Sequence, residues 1–89
     1  MYCEKELTIT NKLGLHARAA AQLVKLANRY SSNISIQKDK LTADGKSILG
    51  ILTLAASYNT LIKVSCDGSD ADECLMSIES LILNKFNEE

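Results

Sequence analysis

Two hydrophobic rhythms alternate along the chain, one with a period of two and one with a period near 3.6, and their order predicts the elements. From Cys3 to Thr10 the residues Cys3, Lys5, Leu7 and Ile9 share one face, and Leu7 with Ile9 marks it as a strand with a buried side. From Ala17 to about Tyr30 the apolar positions move to Ala20, Leu23, Val24 and Ala27, a helical stripe, while Arg18, Gln22, Lys25 and Arg29 point elsewhere. Ile34 and Ile36 restore the alternation, and the polar Lys38-Asp39-Lys40 turns the chain into a short run around Leu41 and Ala43, which predicts a hairpin. Ser47 then stands as the N-cap of a short helix carrying Ile48, Leu49, Ile51 and Leu52. A last strand follows, with Ile62, Val64 and Cys66 facing inward and Asp67-Gly68 ending it. Ser69 with Asp72 resembles a capping box with Asp in place of Glu, opening a final helix whose apolar face is Ala71, Cys74, Leu75, Ile78, Ile82 and Phe86. Lys85 to Glu89 is expected to be a frayed, solvated tail.

The order is strand, helix, strand, strand, short helix, strand, helix. Because most strands are apolar on one side only, this order predicts an α+β fold, an open-faced β-sandwich: a four-stranded, mainly antiparallel sheet with three helices on one face and water on the other. Eighty-nine residues with 46% hydrophobic content suffice for one core, so residues 1–89 are expected to form a single domain. With no repeat, linker or low-complexity tract, nothing divides it.

Charge and cysteine usage narrow the function classes. Ten basic against eleven acidic residues leave a net charge of -1, which gives nucleic-acid binding no support and favours a protein partner. The longest largely apolar run, Ile48 to Ala56, is far short of the roughly 20 residues that span a bilayer, so a soluble cytoplasmic protein is expected. Cys3, Cys66 and Cys74 match neither a Cys-x-x-Cys pair nor an even-numbered disulfide framework, and they read as reduced thiols, two of them small core residues. One histidine and three scattered cysteines lack the spacing of a metal site, and no motif calls for a cofactor.

The candidate chemistry sits at His16, the one histidine, where an extended stretch meets the first helical turn in Gly14-Leu15-His16-Ala17-Arg18. A helix start offers free amides and the positive end of the dipole to an anion. A phosphoryl group on the imidazole would therefore be held by the Ala17 and Arg18 amides and by the Arg18 guanidinium. From the residues alone a surface histidine beside a helix start is an equal alternative. Ser47 is likewise open between a plain helix cap and a modification site.

Gly14-Leu15-His16-Ala17-Arg18 before an alanine-rich helix, with Gly45-Lys46-Ser47-Ile48-Leu49-Gly50-Ile51-Leu52-Thr53-Leu54 about thirty residues later, resembles the histidine-site and serine-site motifs of the HPr family. These are the phosphocarriers of the bacterial phosphoenolpyruvate-dependent phosphotransferase system. The resemblance implies that enzyme I phosphorylates Nδ1 of His16, that Arg18 contacts the phosphoryl oxygens, and that the group passes on to an enzyme IIA domain. The chain would then be a carrier intermediate and not an enzyme. It also implies that Ser47 matches the serine modified by an HPr kinase/phosphorylase, and that Ile48, Leu49 and Leu52, ringed by Arg18, Lys25 and Lys46, form the docking patch of a monomer. The family usually has proline where this chain has Ala19, a change that should keep the helix and loosen its start. A regulatory relative, signalling to a transcription regulator or other partner through phosphate on His16 or Ser47, shares the same motifs and is the alternative.

Overall fold

The computed structural model describes residues 1–88. Its elements are β1 (Tyr2–Thr8), α1 (Ala17–Ala27), β2 (Asn33–Lys38), β3 (Leu41–Asp44), α2 (Ile48–Thr53), β4 (Leu61–Asp67) and α3 (Ala71–Leu83), followed by a 3₁₀ turn at Lys85–Asn87. The four strands form one antiparallel sheet in the order β1-β4-β2-β3. It is the expected open-faced sheet with three helices.

Alternation explains the single covered face. Opposite one another across the strands stand Leu7 and Ile62, Ile34 and Cys66, and Ile36 between Val64 and Ala43, all buried. The intervening Glu6, Lys63, Ser35 and Gln37 lie on the other side and keep partial or full contact with water. Onto the apolar face pack Ala20, Leu23 and Ala27 of α1, Ile51 of α2, and Cys74, Ile78 and Ile82 of α3. Burial pushes the Cys66 thiol up to about 12 and raises Cys74 as well, so both act as small, protonated hydrophobes. Cys3, on the edge strand β1, donates to the Asp72 carboxylate at 2.8 Å.

Three expectations need correction. Helix α1 stops at Ala27, short of Tyr30, because the Arg29 and Tyr30 amides reach back three residues, to Leu26 and Ala27, and tighten the chain into turns. The Ser69–Asp72 capping box does not form. Asp70 is the N-cap instead, and its carboxylate leaves the helix to accept from the amides and hydroxyls of Ser31 and Ser32. Those bonds, the Ser32 hydroxyl foremost, hold the Asp70 carboxyl down at about 2.

The frayed tail is the third correction. Phe86 leaves the helical register of α3 yet is 1% exposed, sunk into the core by a turn in which Lys85, Phe86 and Asn87 have φ of 55, 54 and 58°. Left-handed backbone costs a non-glycine residue about 1–2 kcal/mol, and the burial of Phe86 offsets part of that cost across the turn. The turn therefore anchors the chain end, and Glu88 is packed against the protein. Glu89 lies outside the described residues.

Candidate functional site

The segment from Ile9 to His16 is shaped by one glycine. Gly14 has φ +68°, and a Cβ built there would stand 2.5 Å from the Ala56 carbonyl oxygen and 2.8 Å from Ser57 Cα. Only a residue without a side chain fits. The next residue, Leu15, donates to that same Ala56 oxygen at 2.8 Å and buries its side chain. The Gly14 carbonyl in turn accepts from the His16 amide at 2.9 Å and from Asn11 Nδ2 at 2.8 Å.

His16 is thereby set as the N-cap of α1, in extended conformation with φ -77° and ψ -179°. Its carbonyl accepts from Ala20 at 2.8 Å, the first intrahelical bond, so the amides of Ala17, Arg18 and Ala19 point out of the helix start. The imidazole makes no capping bond to them and is 29% exposed. A partly exposed ring beside outward amides, with the exposed Arg18 on the first turn, is an arrangement for holding an anion on the ring.

The far side of the ring is occupied. His16 Nε2 meets Glu88 Oε2, and Asn11 Nδ2 donates to Glu88 Oε1 at 2.8 Å. Desolvation pushes the Glu88 carboxyl up, but the Asn11 and His16 hydrogen bonds and the nearby His16 and Arg18 charges together leave it below the ordinary carboxylate value. The site thus holds an ionised carboxylate on Nε2, and Nδ1 has no hydrogen-bond partner among the described residues.

Beyond the sheet, α2 packs against α1. Ser47 caps it as expected, its Oγ accepting from the Gly50 amide at 3.0 Å. Of the four large apolar residues only Ile51 is fully buried; Leu49 is 77% exposed, Ile48 41%, and Leu52 is half-buried against the core. Lys46 is drawn inward, its ammonium donating to the Tyr30 carbonyl at 2.8 Å. Lys25 lines a shallow groove with Leu26, Arg29, Leu81 and Asn87, on the side of α1 that meets α3.

The family description "PTS HPr component phosphorylation site" matches residues 3–84 of this chain. The chain belongs to the HPr family. Among its relatives is a phosphocarrier protein HPr of Xylella fastidiosa strain Temecula1, 44% identical over 86 residues that cover 97% of each chain. A phosphocarrier protein NPr of Shewanella violacea is 41% identical over 85 residues, 96% of this chain and 93% of that one. In structure the chain is similar to HPr of Thermoanaerobacter tengcongensis, with a TM-score of 0.94, 41% identity and 98% of both chains covered.

An HPr-family chain is a phosphocarrier component of the phosphotransferase system rather than a catalyst. Within the matched span lie His16, Arg18, Ser47 and the α2 residues; Glu88 lies beyond it. Sequence reasoning named the first group and did not name Asn11 and Glu88, which the structure places behind the ring. Phe86, an apolar residue four positions after Ile82, was the one signal that the chain stays packed so near its end.

Proposed function

We propose that this protein accepts a phosphoryl group from enzyme I on Nδ1 of His16 and delivers it to an enzyme IIA domain. The observation that carries this reading is the partly exposed imidazole at the start of α1, held through Nε2 and with no bond to Nδ1 among the described residues, at the helix end where the amides of Ala17 to Ala19 point outward. Phosphoryl transfer asks little of a protein beyond an aligned nucleophile and donors for the charge on the equatorial oxygens. Those amides, the helix dipole and the Arg18 guanidinium supply the donors. Ala19 contributes an amide that a proline there would lack. Incubation with enzyme I and phosphoenolpyruvate, read by intact mass, tests the proposal: one added phosphoryl group is the expected product, and an unchanged mass refutes it.

Docking falls to α2 in this reading. No helix among the described residues is long and apolar enough to cross a membrane. In this reading the partners are soluble proteins that a monomer meets in the cytoplasm. Leu49, with most of its surface in water, is the natural anchor, flanked by Ile48 and Leu52; Lys25, on the α3 side of α1, adds positive charge at a distance from this patch that would steer an acidic partner. Leu49→Glu is expected to weaken binding to enzyme I by about 1–3 kcal/mol, measured by calorimetry, while leaving thermal stability nearly unchanged. Loss of the fold would assign Leu49 to the core.

The similarity to an NPr favours a second reading, in which phosphate on His16 or Ser47 signals to a regulatory partner. Donation from phosphorylated His16 to an enzyme IIA faster than hydrolysis selects the carrier. Ser47 fits either, as the target of an HPr kinase/phosphorylase. A negative charge there is compatible with the helix start, so Ser47→Asp should fold normally, since aspartate also caps helices well. The same charge beside Ile48 and Leu49 would repel an acidic partner. We expect Ser47→Asp to raise KM for charging by enzyme I about 5- to 30-fold, equivalent to about 1–2 kcal/mol, with kcat little changed. Equal KM values for wild type, Ser47→Ala and Ser47→Asp would leave Ser47 as a cap alone.

A further inference from the structure

We propose that Glu88 is a positioning residue for phosphoryl transfer: its carboxylate holds the Nε2–H of His16 and so fixes the ring tautomer whose Nδ1 lone pair attacks phosphorus. The inference rests on His16 being the phosphate acceptor, and it adds a residue from outside the span that matches the family.

The geometry is that of a clamp. Glu88 is nearly enclosed, its side chain 9% exposed, and both carboxylate oxygens are engaged, Oε2 by His16 Nε2 and Oε1 by Asn11 Nδ2 at 2.8 Å. Asn11 is itself fully buried and anchored by donating to the Gly14 carbonyl at 2.8 Å, one residue before Leu15 and two before the ring it serves. From the other direction the buried Phe86 pins the turn that delivers Glu88. Neither partner is free to drift, so the ring is held from behind by a carboxylate with a fixed position.

A carboxylate is an acceptor, so Nε2 must carry the proton, and in a neutral imidazole the lone pair then belongs to Nδ1. The Nδ1 pair forms the N–P bond while the bond between phosphorus and the donor's own atom breaks, its electron pair leaving with the donor. The Nε2 proton stays where it is. The ring becomes a phosphorylated imidazolium, and its new positive charge develops directly against the Glu88 carboxylate. A preorganised charge placed where charge appears in the transition state lowers the barrier without reorganisation at the moment of reaction. On the reverse path, delivery to an acceptor, the proton need not move either.

The test pairs a ring spectrum with kinetics. Nitrogen NMR of imidazole-labelled protein reads the tautomer with no phosphodonor present, in wild type, Glu88→Ala and Glu88→Gln. Wild type should show Nε2 protonated and Nδ1 bare, and in Glu88→Ala an Nδ1–H population should appear. Charging by enzyme I should fall in kcat by about 10- to 100-fold in Glu88→Ala, the range observed when the carboxylate behind a metal-binding histidine is removed, with KM within about twofold. Glu88→Gln, which keeps a carbonyl acceptor and loses the charge, should fall between. An unmoved tautomer in Glu88→Ala, or a kcat within about twofold of wild type, overturns the proposal. Wild-type protein that takes no phosphate at all would reject the carrier reading instead, and the ring spectrum would still judge Glu88.

Discussion

Replacing His16 by alanine is expected to leave a folded protein that takes no acid-labile phosphate. The imidazole is partly exposed and caps nothing, so its removal opens no cavity in the core, and the helix keeps its backbone bond from Ala20 to the residue 16 carbonyl. A surface change of this kind shifts stability by about 0.5 kcal/mol or less, with some addition for the Glu88 contact it deletes. Chemistry, by contrast, has no substitute: His16 is the single histidine in the chain, so its removal takes away the one imidazole that could form the proposed N–P bond. After incubation with enzyme I and phosphoenolpyruvate, wild type should gain one phosphoryl group that acid removes and base does not, as a P–N bond requires. The variant's mass should stay unchanged. Acid-stable phosphate on the variant would move the acceptor to a hydroxyl and overturn the mechanism.

Gly14→Ala is expected to be the most damaging single methyl group in the molecule. The left-handed backbone alone costs about 1–2 kcal/mol for alanine. The added Cβ meets backbone, the Ala56 carbonyl oxygen and Ser57 Cα, which cannot swing aside as a side chain would. Relief requires parting the two loops, and that breaks the bond from Leu15 to Ala56 and carries His16 away from its place. A total loss of about 3–4 kcal/mol is a large fraction of the 5–15 kcal/mol typical of a domain. With about 4–8 °C per kcal/mol at this size, the melting temperature should drop by more than 10 °C in a calorimetric scan. Charging of His16 should fall with it. A melting temperature within about 2 °C of wild type would mean that the two loops yield to one another freely.

Where local rules suffice, the sequence reading and the structure mostly agree, and the disagreements at Asp70, Lys46 and Glu88 share one cause. Ile34, Ile36, Ile62, Val64 and Cys66 announce their face because a strand's side chains alternate whatever lies across from them. Ser47 announces its cap because the acceptor and the orphan amide are three residues apart. Asp70 could not be read that way: the local rule offered Ser69 and Asp72, and the competing donors, Ser31 and Ser32, sit nearly forty residues upstream. Lys46, grouped by charge with the docking ring, is captured by a carbonyl sixteen residues away. The helix start at His16 was legible because Gly14, His16 and Arg18 are neighbours in sequence. Glu88 was not, since a short charged chain end is solvated in most proteins and only the burial of Phe86 makes this one an exception.

The site has an order of assembly written into the chain. Residues 11–18 carry the histidine and its amides, the Ala56 carbonyl holds the loop that presents them, and Glu88 stands behind the ring. The strand beside that loop, β1, pairs among the described residues with β4 alone, more than fifty residues later, so its backbone partners do not exist until the chain has been made past residue 61. A growing chain therefore displays His16 early in synthesis but has no pocket around it. In the proposed relay His16 becomes competent only when the segment that carries Glu88 has packed behind it, so a partly folded chain would be a non-participant in transfer rather than a faulty carrier.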